Sequence, residues 1–239
     1  GVTTPTLYLY VGTLLGNNGD QFRCVVSNAA GTVISNAATL TVSMVSAPVV
    51  VAGGYGQAFF LRNNGALWAM GGNYAGQLVD GTNIGRPSPV QVATSVVDVA
   101  SGFEHVLLLK TDGTLWGGGD NQIGALGLGD TNSRNYAAQI ASNVSGASGG
   151  YRHSLFRKND GTLWAMGWNA NGQLGDGTTT NRLSPVQVAT HVIGSAAGYQ
   201  HSLFIRADGT LWGMGNNSGG VFGNGTTASP SSPVQIATG

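Results

Sequence analysis

Three histidines recur at one spacing: His105, His153 and His201, each 48 residues from the next. Two of them stand beside a serine, as His153-Ser154 and His201-Ser202. A general base beside a nucleophile would serve hydrolysis. The surrounding pattern reads as β-strand, however, and neighbours in a strand point to opposite faces. Within a dipeptide the two side chains therefore cannot act together. A shared metal is excluded by distance. Equivalent positions of packed sheets lie at least ~10 Å apart, against metal–ligand bonds of about 2 Å. Structural roles are expected for all three, and His191, outside the pattern, reads as an exposed strand start.

Other chemistry-bearing groups fare no better. The loop Gly175–Thr178, with Asp80 and Asn224 at the matching positions of other copies, hints at calcium, but the second copy has Leu128 there. A calcium ion needs six to eight oxygens, and one acid per loop reads as a turn. Gly117-Gly118-Gly119 does not lead from a strand into a helix, so the phosphate-cradle reading fails. Cys24 is the sole cysteine. Phe22, Cys24 and Val26 would share a strand face, which makes Cys24 a buried, inert thiol; Arg23 points away. The expectation is a protein with no catalytic residues, no metal and no cofactor.

The elements that carry these residues follow from the repeat itself. Leu-Trp occurs at 67–68, 115–116, 163–164 and 211–212, in steps of 48 residues. Asp-Gly-Thr precedes it in three copies and Asn64-Gly65-Ala66 in the first. Gly-aromatic recurs at Gly54-Tyr55, Gly102-Phe103, Gly150-Tyr151 and Gly198-Tyr199, and Gln57 takes the histidine position of the first copy. Residues 47–94, 95–142, 143–190 and 191–238 are thus four copies without insertions. Each predicts four short strands, in the last copy Val192–Ala197, His201–Arg206, Leu211–Met214 and Pro233–Ala237. Asp-Gly marks the tight turn between the second and third. The run Val106–Leu109 is apolar at every position, so both sheet faces are covered. A four-stranded sheet of ~50 residues covered on both faces is a propeller blade.

The pattern running from Gly150 to Thr178, G-Y-x-H-S-L-F-x-x-x-D-G-T-L-W-x-M-G-x-N-x-x-G-Q-L-G-D-G-T, resembles the regulator of chromosome condensation repeat over about four fifths of the chain. The resemblance implies an all-β fold of four-stranded antiparallel propeller blades, most often seven to a ring. It also implies a scaffold with unrelated uses, among them guanine-nucleotide exchange and, in the bacterial β-lactamase inhibitory protein II, enzyme inhibition. Four copies cannot close a seven-bladed ring, which leaves an open arc, pairing of two chains, or tight closure. Open edges favour self-association.

Residues 1–46 follow another pattern. Leu7–Val11, Gln21–Ser27 and Ala37–Val42 are strand-like, and the stretch from Asn18 to Val42 resembles the last strands of a bacterial immunoglobulin-like domain. Such a sandwich needs ~100 residues, so the chain reads as a fragment of a larger protein, with a junction near 43–48.

Composition narrows the function. Ten Lys+Arg balance ten Asp+Glu, and 40 residues are glycine. Few cations and no net charge exclude a nucleic-acid binder and weigh against the exchange factor. No apolar run is long enough to span a membrane. The candidate contacts lie where the repeat frame leaves freedom. Trp168 stands where other copies have Gly72, Asp120 and Asn216; Tyr74 stands opposite Gln122, Ala170 and Ser218. Beside the periodic aromatics Tyr55, Phe103, Tyr151 and Tyr199, the next residue varies: Gly56, Glu104, Arg152, Gln200. These aromatics either cap the blades or, with Glu104, Arg152, Gln200, Tyr74 and Trp168, form a recognition rim. The periodic tryptophans read as core. The expected function is a non-catalytic binding or scaffold module of a secreted or cell-surface bacterial protein, contacting a protein or glycan. The alternatives are an enzyme inhibitor and a self-associating surface or filament protein.

Overall fold

The computed structural model describes residues 48–238 and four strand segments nearer the N-terminus. The chain divides into two compact units, Gly1–Ser46 and Ala47–Gly239. In the first, β1 (Gln21–Phe22) pairs antiparallel with β4 (Ala38–Thr39), and β2 (Val25–Asn28) with β3 (Gly31–Ile34). The expected strand Gln21–Ser27 is thus described as two segments with different partners. Leu7–Val11 and Cys24 lie outside the described residues.

The second unit holds four antiparallel four-stranded sheets, each made from consecutive strands. Blade 1 comprises β5 (Pro48–Gly53), β6 (Gln57–Arg62), β7 (Leu67–Gly71) and β8 (Arg86–Ala93). Blade 2 comprises β9 (Val96–Ser101), β10 (His105–Lys110), β11 (Leu115–Gly119) and β12 (Arg134–Ala141). Blade 3 comprises β13 (Val144–Gly149), β14 (His153–Lys158), β15 (Leu163–Gly167) and β16 (Arg182–Ala189). Blade 4 comprises β17 (Val192–Ala197), β18 (His201–Arg206), β19 (Leu211–Gly215) and the short β20 (Val234–Ala237). Among the described residues there is no helix, hence none long and apolar enough to cross a membrane.

The core lies between blades. Leu107, Leu109 and Leu115 of blade 2 pack on Phe156 and Met166 of blade 3; Leu155 and Leu163 of blade 3 pack on Phe204 and Met214 of blade 4. In the second strands, odd-numbered residues of blades 1–3 face the following blade and even-numbered residues of blades 2–4 the preceding blade. This is why β10 is apolar throughout.

The Asp-Gly-Thr turn explains its own sequence. Gly113, Gly161 and Gly209 adopt φ of 76–83°, open to glycine at no steric cost. The Asp carboxylate accepts the threonine hydroxyl at 2.6 Å, and the threonine oxygen accepts the tryptophan Nε1–H at 2.7–2.9 Å. The four periodic tryptophans are half-buried, and Trp116, Trp164 and Trp212 pack against the edge of the core. A cation covers each: Arg62, Lys110, Lys158 and Arg206 lie 4.1–4.9 Å from the ring centres. In the first copy Ala66 supplies no hydroxyl, and Trp68 Nε1 is buried without a partner. Ala66→Thr should therefore stabilise the protein by about 1 kcal/mol, read as a higher urea midpoint at unchanged slope. A lower midpoint would contradict this account of the turn.

Candidate binding surface on the propeller rim

The rim is assembled from Gly-aromatic-x-His loops between the first and second strands. A Cβ on Gly102 would lie 2.1 Å from the His105 ring, and one on Gly150 2.3 Å from His153. The glycine is therefore where the imidazole packs, and the adjacent aromatic is turned outward. Backbone bonds link one loop to the next: Tyr55 N–H to the Phe103 carbonyl, Phe103 N–H to Gly150, Tyr151 N–H to Gly198, at 3.1–3.2 Å.

The four aromatics form one continuous row of ring contacts, stacked at Tyr55–Phe103, edge-to-face at Phe103–Tyr151 and tilted at Tyr151–Tyr199. Ring centres are 4.3 Å apart for Tyr55–Phe103, 4.6 Å for Phe103–Tyr151 and 4.2 Å for Tyr151–Tyr199. Trp168 meets Tyr151 edge-on at 5.9 Å. Tyr55 is 70% exposed and Tyr199 59%. The row borders a shallow groove of about 250 Å³ floored by glycines, Ser101 and Ala197. Arg152 lies 5.6 Å from the Tyr151 ring centre and pairs with Asp120 at 3.7 Å. Gln200 accepts a hydrogen bond from the Asn216 amide at 2.7 Å. A hydrogen bond with Tyr151 holds the Tyr199 phenol above its usual pKa. Glu104 is half-buried and makes no ion pair among the described residues. Tyr74 is 65% exposed, its hydroxyl 3.5 Å from where a Cβ on Gly56 would stand, and it makes no ring contact with the row. The structure thus brings Tyr55, Phe103, Tyr151, Tyr199, Trp168, Arg152 and Gln200 into one connected surface. Asp120 and Asn216 belong to it too. The signal for them was their position, equivalent to Trp168.

The loop between the third and fourth strands is pinned by a fully buried asparagine in each copy, Asn73, Asn121, Asn169 and Asn217. Its side-chain oxygen accepts a backbone N–H five residues on at 2.9–3.0 Å. The acids of these loops are held by arginine, Asp80 by Arg86 and Asp176 by Arg182, each at 2.6 Å. Burial raises the pKa of both acids, but hydrogen bonds from threonine and arginine outweigh it and keep them below the usual range. Blade 2 has Leu128 at this position and uses Asp130 with Arg134 at 2.7 Å. Blade 4 has neutral Asn224 with Pro230, so acid and cation are lost together. No cluster able to hold a metal occurs among the described residues.

Histidine and serine do meet, across blades rather than within the dipeptide. His105 Nε2 lies 2.9 Å from Ser154 Oγ, and His153 Nε2 2.9 Å from Ser202 Oγ. Each serine donates its one proton to a carbonyl of the preceding blade, Ala125 or Gln173, at 2.8 Å. It must then accept from the imidazole, which fixes Nε2–H as the tautomer. The pairs are sealed: His105 is 1% exposed, and His153, Ser154 and Ser202 are 0%. Burial lowers His105 to a pKa of about 4, against a smaller opposing pull from Asp120. Burial, then the neighbouring histidines, lowers His153 to about 3. At the first junction Gln57 replaces histidine and Val106 replaces serine, and Gln57 turns to the Gly102 and Phe103 carbonyls at 3.1 Å.

Sheets of four antiparallel strands stacked in chain order, with loops gathered on one rim, define a propeller-like repeat protein. Two family models of the regulator of chromosome condensation (RCC1) repeat match it, one over residues 64–109 and 160–205, the other over 96–124, 144–173 and 195–221. Together they take in more than half of the residues, and the chain belongs to the RCC1 repeat family. Its fold is similar to human WBSCR16, with a TM-score of 0.74 at 21% identity over 90% of this chain and 59% of that one. It is similar to Prp20p from Saccharomyces cerevisiae, with a TM-score of 0.73 at 20% identity over 91% and 58%. It is also similar to a chain in the structure of Kap60 bound to yeast RCC1 (Prp20), with a TM-score of 0.72 at 21% identity over 91% and 56%. The chain therefore spans less than two thirds of these neighbours. No curated protein matches it.

Proposed function

We propose that this chain is a non-catalytic binding module whose rim contacts a protein partner. The observation that carries this reading is the row Tyr55–Phe103–Tyr151–Tyr199 beside Trp168 and Arg152, aromatic and arginine residues of the kind that dominate protein interfaces. A protein is favoured over a glycan because sugars pack on open ring faces. Here neighbouring rings take up those faces: Tyr55–Phe103 and Tyr151–Tyr199 lie face to face at 4.3 and 4.2 Å, and Phe103–Tyr151 sets an edge against a ring at 4.6 Å. The non-catalytic part of the proposal is supported by the His–Ser pairs, which are sealed from any substrate. Prp20p has binding properties to Gsp1p and histones, so protein partners are among the uses of this fold. The proposal further holds that residues 1–46 are the end of an immunoglobulin-like domain and that the protein works at a bacterial cell surface or after secretion. The sequence resemblance and the low charge support both.

The experiment is a parallel screen of a displayed random-peptide library and a glycan array against the whole chain. Peptide ligands that compete with one another for a single site, with no glycan binding, are expected. Glycan binding without peptide binding would overturn the choice of partner.

A further inference from the structure

The rim carries one charge that the chain itself does not answer. Alone among the acidic residues described, Glu104 has neither a hydrogen bond nor an ion pair to its carboxylate. It is half-buried, and a carboxylate drawn out of water without a partner is costly. The cations are committed elsewhere. Arg152 faces Asp120 at 3.7 Å, three arginines hold loop acids, and Arg157 donates to the Ser145 hydroxyl. The other four described cations lie on the periodic tryptophans. The one in blade 2, Lys110, stands at the far end of β10 from Glu104.

Glu104 follows Phe103 directly, so it borders the row of rings and the groove beside them. Its equivalents show where this position reaches. The Arg152 guanidinium lies 5.6 Å from the Tyr151 ring centre, and Gln200 takes the Asn216 amide at 2.7 Å. At about 250 Å³ the groove is smaller than the roughly 300–1,000 Å³ of small-molecule sites. It has room for one side chain of a larger partner. Aromatic rings and glycine backbone line it, which suits methylene groups, and the carboxylate at its margin suits a cation. Lysine and arginine combine the two, an apolar stem with a charged head.

We propose that the rim partner is a basic protein segment, which seats one lysine or arginine in the groove with its charged head on Glu104. This rests on the reading of the rim as a protein-contact surface and adds the chemistry of the contact. Charge complementarity selects the occupant. With Asp120 matched by Arg152, the aromatic loops are left with the single negative charge of Glu104. An acidic segment would meet that charge unopposed, and an uncharged one would bury it unpaired.

The test selects a displayed random-peptide library on the whole chain and keeps, as rim ligands, the peptides that fail to bind Tyr151→Ala. A lysine or arginine should recur in them at one position. Replacing it by methionine should weaken binding to the wild-type chain about fivefold and leave binding to Glu104→Gln unchanged. Selection on Glu104→Lys should return glutamate or aspartate at that position instead. Glu104→Gln should keep the wild-type urea midpoint, because no hydrogen bond is lost; a lower midpoint would show that the chain answers the carboxylate and would overturn the proposal. Rim ligands without a recurrent basic residue would also overturn it, and leave the rim reading standing. So would a methionine replacement that costs the wild type and Glu104→Gln equally. A library that yields no ligand sensitive to Tyr151→Ala would overturn the rim reading itself, and the proposal with it.

Discussion

Between pH 6.5 and pH 4.5 the unfolding free energy of the propeller unit should fall by about 1.4 kcal/mol per pH unit for each of His105 and His153. Both are neutral in the fold, with pKa lowered by burial to about 4 and about 3. In the unfolded chain they titrate near 6.5. Above that pH neither state binds the proton, and the full stability is present. As pH falls below it, the unfolded chain takes up protons that the folded chain refuses, and stability drains away until the folded values are reached. Over two units the loss is about 5 kcal/mol, comparable with the whole stability of many domains. The acids do not share this window. Asp80 and Asp176 have lowered pKa values, so their contribution is present above the usual carboxylate range and is lost only at lower pH. Urea unfolding at pH 7, 6 and 5 reads the slope. His153→Gln, which places at one His–Ser junction the residue blade 1 already uses, should halve it. A pH-independent midpoint over this range would mean that the imidazoles open to solvent.

Gly118→Met should destabilise the chain by about 1–3 kcal/mol, and Val79→Gly should restore most of that loss. At the second and third junctions a left-handed glycine, Gly127 or Gly175, lies under a methionine, Met166 or Met214; a Cβ on the glycine would stand 2.6 and 3.0 Å from the methionine sulfur. The first junction reverses the volumes. Val79 occupies the glycine position at φ of 52°, a conformation strained for a β-branched residue. Gly118 occupies the methionine position, where a Cβ would lie 2.3 Å from Val79 Cγ1. Methionine at 118 therefore collides with Val79. Removing the valine side chain clears the space and relieves the strained backbone, so the double variant reproduces the packing of the later junctions. Unfolding of the two single variants and the double variant gives a coupling energy, expected at about 1–3 kcal/mol. Simple additivity would show that the two residues do not share the space.

Much of this was legible because a 48-residue period aligns equivalent residues. The strands of each blade, the Asp-Gly-Thr turn and the gathering of Tyr55, Phe103, Tyr151 and Tyr199 on one rim follow from local pattern alone. What crosses between blades did not. The His–Ser reading stopped at the dipeptide, where strand geometry forbids contact. The partner stands one repeat plus one residue away, in the next sheet. The change of Gln57 with Val106 against His105 with Ser154 was the available clue. Val79 and Gly118 were hidden for the same reason, since neither looks unusual until the junction is seen. Trp168 stood out because the repeat frame requires no tryptophan there, whereas its equivalents Asp120 and Asn216 join the same surface through polar contacts.

Tyr151 is the centre of the rim, touching Phe103, Tyr199 and Trp168. The direct measurement is the affinity of a peptide selected on the wild-type chain, titrated against Tyr151→Ala and against Tyr136→Ala, an exposed aromatic on β12. Tyr151→Ala should weaken binding at least tenfold, about 1.4 kcal/mol, while remaining folded, and Tyr136→Ala should leave it unchanged. Equal affinity for all three proteins would contradict the assignment of the rim as the binding surface.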